Sequence, residues 1–345
     1  MRTRGLALLV ILTAVAVAPI AGGASRVETV VTHVEVPWAL AFATDGRLFF
    51  TERPGRLRVV SDGKLAPDPV ARLPVKASGE SGLMGLALDP EFARNGHLYV
   101  CYTADKGRSV VNRIARLTVR DGHAGDERVV LDDMPAAGIH DGCRLKFGPD
   151  GKLYATMGDA AQPARAQQRD SLSGKILRID ADGSVPVDNP FRGSPVWSLG
   201  HRNPQGLAWD GAGRLWESEH GSSAHDEINL IQPGRNYGWP EVRGGETREG
   251  FVAPALESGD DTWAPSGIAI LRGTLYVAAL RGQRLLAIPI ADGKVGRVTA
   301  LLANEHGRLR DVVVGPDGAL WVATNNRDGR GSPRADDDRI LKIVP

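Results

Sequence analysis

The chain has 345 residues, of which 42% are hydrophobic and 24% charged, and its formal net charge is +1. This apolar fraction suffices for a core and excludes a disordered chain, while 42 Gly and 22 Pro exclude coiled coils and long helices. A charge near zero also argues against a nucleic-acid-binding protein, because such proteins need a basic surface along the phosphates. The length would fit two average domains, but one large all-β domain is also compatible with it.

The N-terminal residues 1–24 have the pattern of a secretory signal peptide. Two arginines precede the apolar run Gly5–Ile20, which a proline interrupts, and small residues follow it. The run is shorter than a bilayer span, so we expect cleavage near Ala24 and a mature periplasmic or secreted domain over residues 25–345. An uncleaved membrane anchor is the alternative. Cleavage leaves 42 minus 2, or 40, basic residues against 41 acidic ones, so any anionic ligand must be held by local positive charge.

The chain has two cysteines, Cys101 and Cys143. In an oxidising compartment they could form a disulfide, but the sequence does not show whether their Cα atoms approach closely enough. Two buried thiols within strands are the preferred interpretation.

Six segments share one plan: an apolar strand, a Gly-containing turn and a second strand. In chain order they are WALAFATDGRLFFTE, LMGLALDPEFARNGHLYVCYT, CRLKFGPDGKLYATMGD, QGLAWDGAGRLWESEHG, SGIAILRGTLYVAAL and DVVVGPDGALWVATNN. Asp-Gly or Asn-Gly between two β-type runs predicts a hairpin, because such turns need positive φ. Further strands follow several units, as in GRLRVV, NRIARLTV, GKILRID, DEINLI, QRLLAIPI and DRILKIV. Repeats roughly 40 to 60 residues apart predict an all-β fold, a six-bladed β-propeller of four-stranded antiparallel sheets.

Two other repetitive folds are disfavoured. A parallel β-helix has much shorter repeats, and a TIM barrel needs an amphipathic helix after each strand. We expect VETVVTHVEV, near the mature N-terminus, to complete the last blade beside DRILKIVP and so to close the ring.

Unusual polar residues occur where first strands begin and second strands end. These two positions lie at the same end of every blade, opposite the hairpin turn, so the residues should converge on one face of the disc. They are Glu80, His140, Arg144, Arg202, Asn203, Gln205, Glu219, His220, Gly221, Ser222, Arg281, Arg308 and Arg310. Arginines around a pocket indicate an anionic ligand with carboxylates, and a histidine among them is a candidate base. For any single residue, a solvated loop position is the alternative.

The same stretches carry a family resemblance. ESGLMGLALDPEF, HDGCRLKFGPDGKLYATMGD, SLGHRNPQGLAWD, EHGSSAHDEINLI followed by NYGWP, and GRLRDVVVGPDG resemble the soluble quinoprotein sugar dehydrogenases, which use pyrroloquinoline quinone (PQQ). The similarity extends from about Pro37 to the C-terminus. It implies a six-bladed propeller, which the repeats predict independently.

The resemblance implies roles for individual residues. His140 resembles the base that takes the proton of the anomeric hydroxyl while hydride passes to the quinone; the neighbouring Asp141 could orient it, although adjacent residues of an extended strand point in opposite directions. The cofactor-contacting positions are Glu80, Arg202, Asn203, Gln205, Arg281, Arg308 and Arg310. Glu80 replaces a glutamine of the glucose enzyme, which adds negative charge beside an anionic cofactor.

Calcium is implied at two sites. The main-chain carbonyls of Gly221 and Ser222 match the ligands of a catalytic calcium, although relatives often have proline in place of Ser222. Glu227, by its side chain, and Tyr237, by its main chain, match a structural calcium of the aldose sugar dehydrogenases. The alternative is an exposed acidic pair, Asp226 and Glu227, beside a packed turn.

The expected function is therefore PQQ- and calcium-dependent oxidation of aldose sugars to lactones. The alternatives are a calcium-dependent lactonase-type hydrolase and a non-catalytic extracellular propeller that binds a partner or glycan. The short loop between Glu257 and Ser266 leaves little room for a lid, so we expect broad aldose specificity and a monomer.

Overall fold

The computed structural model describes residues 26–344, and nearly all regular structure in them is β-strand. One four-residue α-helix, α1 (Phe92–Asn95), and one 3₁₀ helix (Pro163–Gln167) accompany the strands. Among these residues no helix is both long enough and apolar enough to span a bilayer. The predicted signal peptide lies outside the described residues.

The strands form six antiparallel sheets, the blades of a propeller. The described chain begins with β1 (Arg26–Val31), and blade 1 follows with β2 (Pro37–Phe42), β3 (Leu48–Glu52), β4 (Arg56–Ser61), β5 (Lys64–Leu65) and β6 (Ala71–Arg72). Blade 2 contains β7 (Leu83–Leu88), β8 (His97–Asp105), β9 (Val110–Arg120) and β10 (His123–Pro135). Blade 3 contains β11 (Gly142–Phe147), β12 (Leu153–Met157), β13 (Lys175–Ile179) and β14 (Val196–Leu199). Blade 4 contains β15 (Pro204–Trp209), β16 (Leu215–Glu219), β17 (Glu227–Ile231) and β18 (Leu256–Glu257). Blade 5 contains β19 (Pro265–Leu271), β20 (Thr274–Ala279), β21 (Arg284–Ala291), β22 (Lys294–Val295) and β23 (Thr299–Leu301). Blade 6 contains β24 (Leu309–Val314), β25 (Leu320–Thr324) and β26 (Ile340–Val344).

The ring is closed by the first strand of the chain. β1 pairs with β26, and it completes the sheet β1-β26-β25-β24. The innermost strands β2, β7, β11, β15, β19 and β24 contact one another in succession, and β2 also contacts β24. The predicted six-bladed propeller and its closure are therefore confirmed, although β1 ends at Val31 and is shorter than the apolar run suggested.

The predicted hairpin turns lie at one end of the blades. In blade 1 the Asp-Gly turn ends at Gly46, whose φ of +89° is a conformation that favours glycine. Blade 2 departs from this plan, because α1 rather than a tight turn joins β7 to β8. There Gly96 has a φ of +67°, and a Cβ at this position would approach the Val119 carbonyl oxygen to 2.5 Å.

Neighbouring blades pack through apolar side chains on both faces of each sheet. Every residue of β3, β12 and β16 is buried, so these strands lack a solvent-facing side. Aromatic pairs join consecutive blades, such as Tyr99 against Phe147 with ring centroids 5.3 Å apart, and Tyr154 against Trp209 at 5.0 Å. This packing fixes the relative positions of the loops at the other end of the ring.

The two cysteines form a disulfide, so the preferred interpretation of two free thiols is wrong. Cys101 on β8 and Cys143 on β11 are fully buried, with Cα atoms 5.6 Å apart, within the range for bonding. The bond crosses from blade 2 to blade 3, three residues beyond His140. Sequence could not show it because it depends on which faces of two blades meet.

Candidate active site

His140 lies just before β11, at the end of the ring opposite the hairpin turns. Its Nδ1 is 2.8 Å from Asp159 Oδ1, and its side chain is 14% exposed. The other carboxylate oxygen of Asp159 accepts a hydrogen bond from Trp239 Nε1 at 2.8 Å. An ionised carboxylate only accepts, so Nδ1 carries the proton and Nε2 holds the lone pair. Among the described residues Nε2 has no hydrogen-bond partner, which suits it to accept a proton from a ligand.

Asp141 does not orient His140. Its carboxylate accepts hydrogen bonds from Asn112 Nδ2 at 2.9 Å, the Ala137 N–H at 3.1 Å and the Ser81 hydroxyl at 3.0 Å. Burial raises the pKa of Asp141 to about 6, although these bonds oppose the increase. Asp141 therefore secures the loop that carries His140.

Glu80 holds the backbone of His140. Its Oε2 accepts the His140 N–H at 3.0 Å and an Asn203 Nδ2–H at 3.3 Å, while Oε1 accepts from Arg330 Nη1 at 2.8 Å. Burial alone would raise the pKa of Glu80, but the charges of His220 and Arg330 and the N–H of His140 lower it to about 2. Glu80 is therefore ionised at neutral pH.

Arg202 lies beside this pair. Its guanidinium carbon is 5.3 Å from the centre of the Trp239 ring, and its Nη1 donates to the His220 carbonyl oxygen at 3.2 Å. The Nε of Arg202 and the Nε2 of His220 are buried without a hydrogen-bond partner. Buried polar atoms without a hydrogen-bond partner favour the binding of a polar ligand that can supply one.

Two further arginines are already engaged by protein groups. Arg310 is buried, and its Nη1 donates to Gln205 Oε1 at 2.7 Å; burial lowers the pKa of Arg310 to about 9. Arg308 donates through Nη2 to Asp328 Oδ2 at 2.9 Å. Arg281 is exposed and makes no hydrogen bond or ion pair with a described residue.

Arg144 lies in the central channel. It pairs with Asp311 at 3.1 Å and donates to the Gln205 carbonyl oxygen at 2.7 Å. The structure thus brings Glu80, His140, Arg202 and Asn203 together, places Gln205 and Arg310 in one adjoining network, and leaves Arg281 apart.

The predicted calcium ligands line a single small cleft. Gly221, Ser222, Glu227 and Tyr237 lie around it, with Arg202, Glu219, His220 and Trp239. None of the main-chain carbonyls of Gly221, Ser222 and Tyr237 accepts a hydrogen bond from a described residue. Free carbonyl oxygens beside a carboxylate are a donor set that calcium prefers.

The turn between β16 and β17 is rigidly held. Ser223, Ala224 and His225 all have positive φ, and Asp226 Oδ1 accepts the Gly221 N–H at 2.9 Å. Asp226 Oδ2 also accepts the N–H of Trp263 at 2.7 Å. Asp226 is only 2% exposed, so it is not a solvated acidic residue.

A buried cluster of carboxylates adjoins the cleft. Glu217, Glu219 and Glu227 converge on the Asn229 side-chain nitrogen, with distances of 3.1, 3.2 and 3.2 Å. Burial, followed by the charge of Glu219, raises the pKa of Glu227 to about 8. Within the described residues neither Glu217 nor Glu227 has an ion-pair partner, and Glu217 Oε1 is buried without a hydrogen bond. Ligand atoms of Glu217, Glu219 and His201 also lie within 4.8 Å of one another.

Sequence reasoning missed three residues of the site. Asp159 ends the run LYATMGD, at the end of a second strand, so the positional argument used for the other residues could have found it. Trp239 belongs to NYGWP. Arg330 lies in the long loop between β25 and β26, for which the sequence holds no positional signal.

The fold and this geometry define a six-bladed propeller with a histidine–carboxylate pair, arginines and free carbonyls at one end of the ring. The chain belongs to the glucose/sorbosone dehydrogenase family, whose model, described as Glucose / Sorbosone dehydrogenase, matches residues 34–336. This confirms the resemblance to quinoprotein sugar dehydrogenases.

Individual relatives are similar along most of the chain. The PQQ-bound aldose sugar dehydrogenase of Streptomyces coelicolor is 40% identical, with a TM-score of 0.89 over 95% of this chain and 99% of that one. Aldose sugar dehydrogenase YliI of Escherichia coli K12 is 33% identical over 93% of each chain. Quinoprotein glucose dehydrogenase B of Acinetobacter calcoaceticus is 33% identical over 65% of this chain and 54% of its own length.

Proposed function

We propose that the protein oxidises aldose sugars at the anomeric carbon to lactones, with PQQ and calcium as cofactors. The observation that carries the proposal is the His140–Asp159 pair, which leaves Nε2 free, in a chain of this family. A sugar hydroxyl next to Nε2 would find a base of the correct tautomer.

The residues present fit an anionic, polar cofactor. Arg202 Nε and His220 Nε2 are buried without partners, and each could donate a hydrogen bond to an oxygen atom of such a cofactor. We infer that Arg202 and Asn203 contact PQQ directly, with Glu80, Gln205, Arg281, Arg308 and Arg310 completing the predicted set. The carbonyls of Gly221 and Ser222 would hold calcium, PQQ would supply the hydride acceptor when bound, and the metal would make that acceptor more electrophilic.

The chain itself performs the acid–base part of the reaction. His140 Nε2 accepts the proton of the anomeric hydroxyl as the C1 hydrogen departs as hydride, which leaves a carbonyl at C1. Asp159 keeps the proton on Nδ1 and stabilises the imidazolium that forms. Glu80 fixes the backbone N–H of His140 and so the position of the ring.

A second calcium at Glu227 and Tyr237 would serve stability. The pKa of Glu227 is raised because the carboxylate is buried beside Glu219, and a divalent cation would favour its charged form. A metal that binds the folded chain and not the unfolded one stabilises the fold by mass action.

We also propose that the protein is exported and acts on a range of aldoses. The buried Cys101–Cys143 disulfide fits an oxidising compartment. The loop between β18 and β19 is short. Its Gly259 carbonyl oxygen accepts the His225 N–H at 2.9 Å, so the loop packs onto the turn between β16 and β17 that carries Gly221 and Ser222. A loop held in this way adds few contacts that could discriminate between sugars.

Reconstitution tests the proposed function. Purified apoprotein is mixed with PQQ and calcium, and dye reduction is followed with a panel of aldoses, with PQQ or calcium omitted as controls. We expect sugar-dependent reduction only when both are present. Lactone hydrolysis without PQQ, or PQQ-independent glycan binding with no turnover, would instead support the hydrolase or the binding protein.

A further inference from the structure

The long loop between β25 and β26 reaches across the rim of the site. Its Asp328 accepts from Arg308 through Oδ2 and from the Arg330 N–H through Oδ1 at 2.9 Å. Gly331 lies against the Arg308 side chain, where an added Cβ would be 2.9 Å from Arg308 Cδ. The loop is therefore held in place, and it directs Arg330 from blade 6 to Glu80 before blade 2.

Glu80 connects Arg330 to the catalytic base through two atoms of the same carboxylate. Oε1 accepts from Arg330, and Oε2 accepts from the backbone N–H of His140. The Glu80 N–H also donates to the Gly138 carbonyl oxygen at 3.0 Å, so the segment around Glu80 holds the His140 loop at two points. His140 has a φ of +61°, a backbone conformation that needs such support.

We propose that Arg330 is a positioning residue: it neutralises Glu80, keeps that carboxylate on the His140 N–H, and so permits an acidic residue beside an anionic cofactor. This inference rests on the proposed function. Glu80 is 12% exposed and Arg330 47% exposed, so the carboxylate is largely shielded from water. Removing Arg330 leaves a mostly buried negative charge without its ion-pair partner, at the end of the ring where we propose that the anionic cofactor binds.

A positioning role for Arg330 has one consequence that a merely structural ion pair would not have. An amide in place of Glu80 can still accept the His140 N–H, and it carries no charge that Arg330 would have to neutralise. The loss of Arg330 should therefore be harmful only while Glu80 is acidic. Arg53 is another cation near Glu80 but makes no hydrogen bond with it among the described residues, so it does not replace Arg330 in this geometry.

The experiment compares the wild-type protein with Arg330→Gln, Arg330→Lys, Glu80→Gln and the double variant Glu80→Gln/Arg330→Gln. Arg47→Gln serves as a matched control, because Arg47 pairs with Asp45 at 2.7 Å at the opposite end of blade 1. The readouts are the PQQ dissociation constant, titrated at fixed calcium, together with kcat, KM for sugar and the melting temperature.

We expect Arg330→Gln to raise the PQQ dissociation constant about tenfold and to lower kcat, with little change in sugar KM. Arg330→Lys should recover part of the affinity, and the double variant should return to within about threefold of Glu80→Gln alone. Wild-type values in Arg330→Gln, or a double variant as weak as Arg330→Gln, would overturn the proposal. A wild-type protein that neither binds PQQ nor oxidises sugar would refute the proposed function instead.

Discussion

Asp159→Asn isolates the contribution of the carboxylate to the base. Asp159 Oδ1 faces two donors, His140 Nδ1 and the Ala161 N–H, both at 2.8 Å, while Oδ2 faces Trp239 Nε1. An asparagine has one acceptor oxygen, so its NH₂ group must face a donor on one side. If it faces His140, the imidazole changes tautomer and Nε2 carries the proton; if it faces Trp239, an indole N–H loses its acceptor.

The expected loss is large because either orientation removes the negative charge that stabilises the imidazolium, and one orientation also reverses the tautomer of His140. A positioned general base contributes about 10² to 10⁴ in rate, or about 3 to 5.5 kcal/mol of activation free energy. We expect kcat of Asp159→Asn to fall at least about a hundredfold in dye reduction, with PQQ affinity nearly unchanged.

Asp141→Asn is the matched control. In this variant the amide can donate to the Ser81 hydroxyl oxygen, and the hydroxyl proton is then free for the Ala137 carbonyl oxygen, 2.6 Å away, so the loop keeps its hydrogen bonds. We expect kcat within about threefold of wild type. Equal losses in the two variants, or wild-type kcat in Asp159→Asn, would mean that Asp159 does not support His140 as a base.

Three further predictions concern stability. Burial raises the pKa of Asp141 from 3.8 to about 6, so the native state binds this proton more tightly, and Asp141 should contribute up to about 3 kcal/mol of stability that is lost as pH rises from about 4 to 6. The difference in unfolding free energy between wild type and Asp141→Asn, measured by denaturant titration, should therefore change by this amount across that range, and a difference that is constant with pH would contradict the assignment. The double variant Cys101→Ser/Cys143→Ser should lose about 4 kcal/mol of unfolding free energy in denaturant titrations, because the disulfide closes a loop of 42 positions. An unchanged unfolding free energy would mean that the wild-type thiols are free. The melting temperature of wild type should rise with calcium concentration, and it should rise less in Glu227→Gln, with Glu241→Gln as a surface control. A melting temperature that changes neither with calcium nor with the Glu227 substitution would mean that the second site does not exist.

The fold was predictable because its signal is local and repeated. Asp-Gly turns such as that ending at Gly46 separate apolar runs, and the same strand–turn–strand information is present in each of the six units. Closure by β1 followed from an apolar run that precedes the first repeat and has no partner in it. The bounds of β1 and the insertion of α1 depend on packing between blades, which no single repeat encodes.

The site was predictable only where its residues occupy a repeated position. His140, Arg202 and Asn203 precede inner strands, and the structure brings them together. Asp159 has an equivalent signal at the end of a second strand, whereas Arg330 reaches Glu80 through a loop 250 positions later in the chain. The disulfide and the carboxylate cluster around Asn229 arise from contacts between strands, so their chemistry became visible only in three dimensions.

The role of His140 as the base can be measured by single-turnover sugar oxidation in PQQ- and calcium-loaded protein, with and without this histidine. The absorbance of bound PQQ is followed after rapid mixing with an excess of aldose, in wild type and in His140→Ala at matched cofactor occupancy. We expect rapid, sugar-dependent reduction in wild type and a rate at least about a hundredfold lower in His140→Ala, with cofactor affinity largely intact. Equal rates in the two proteins would contradict the assignment of His140 as the base.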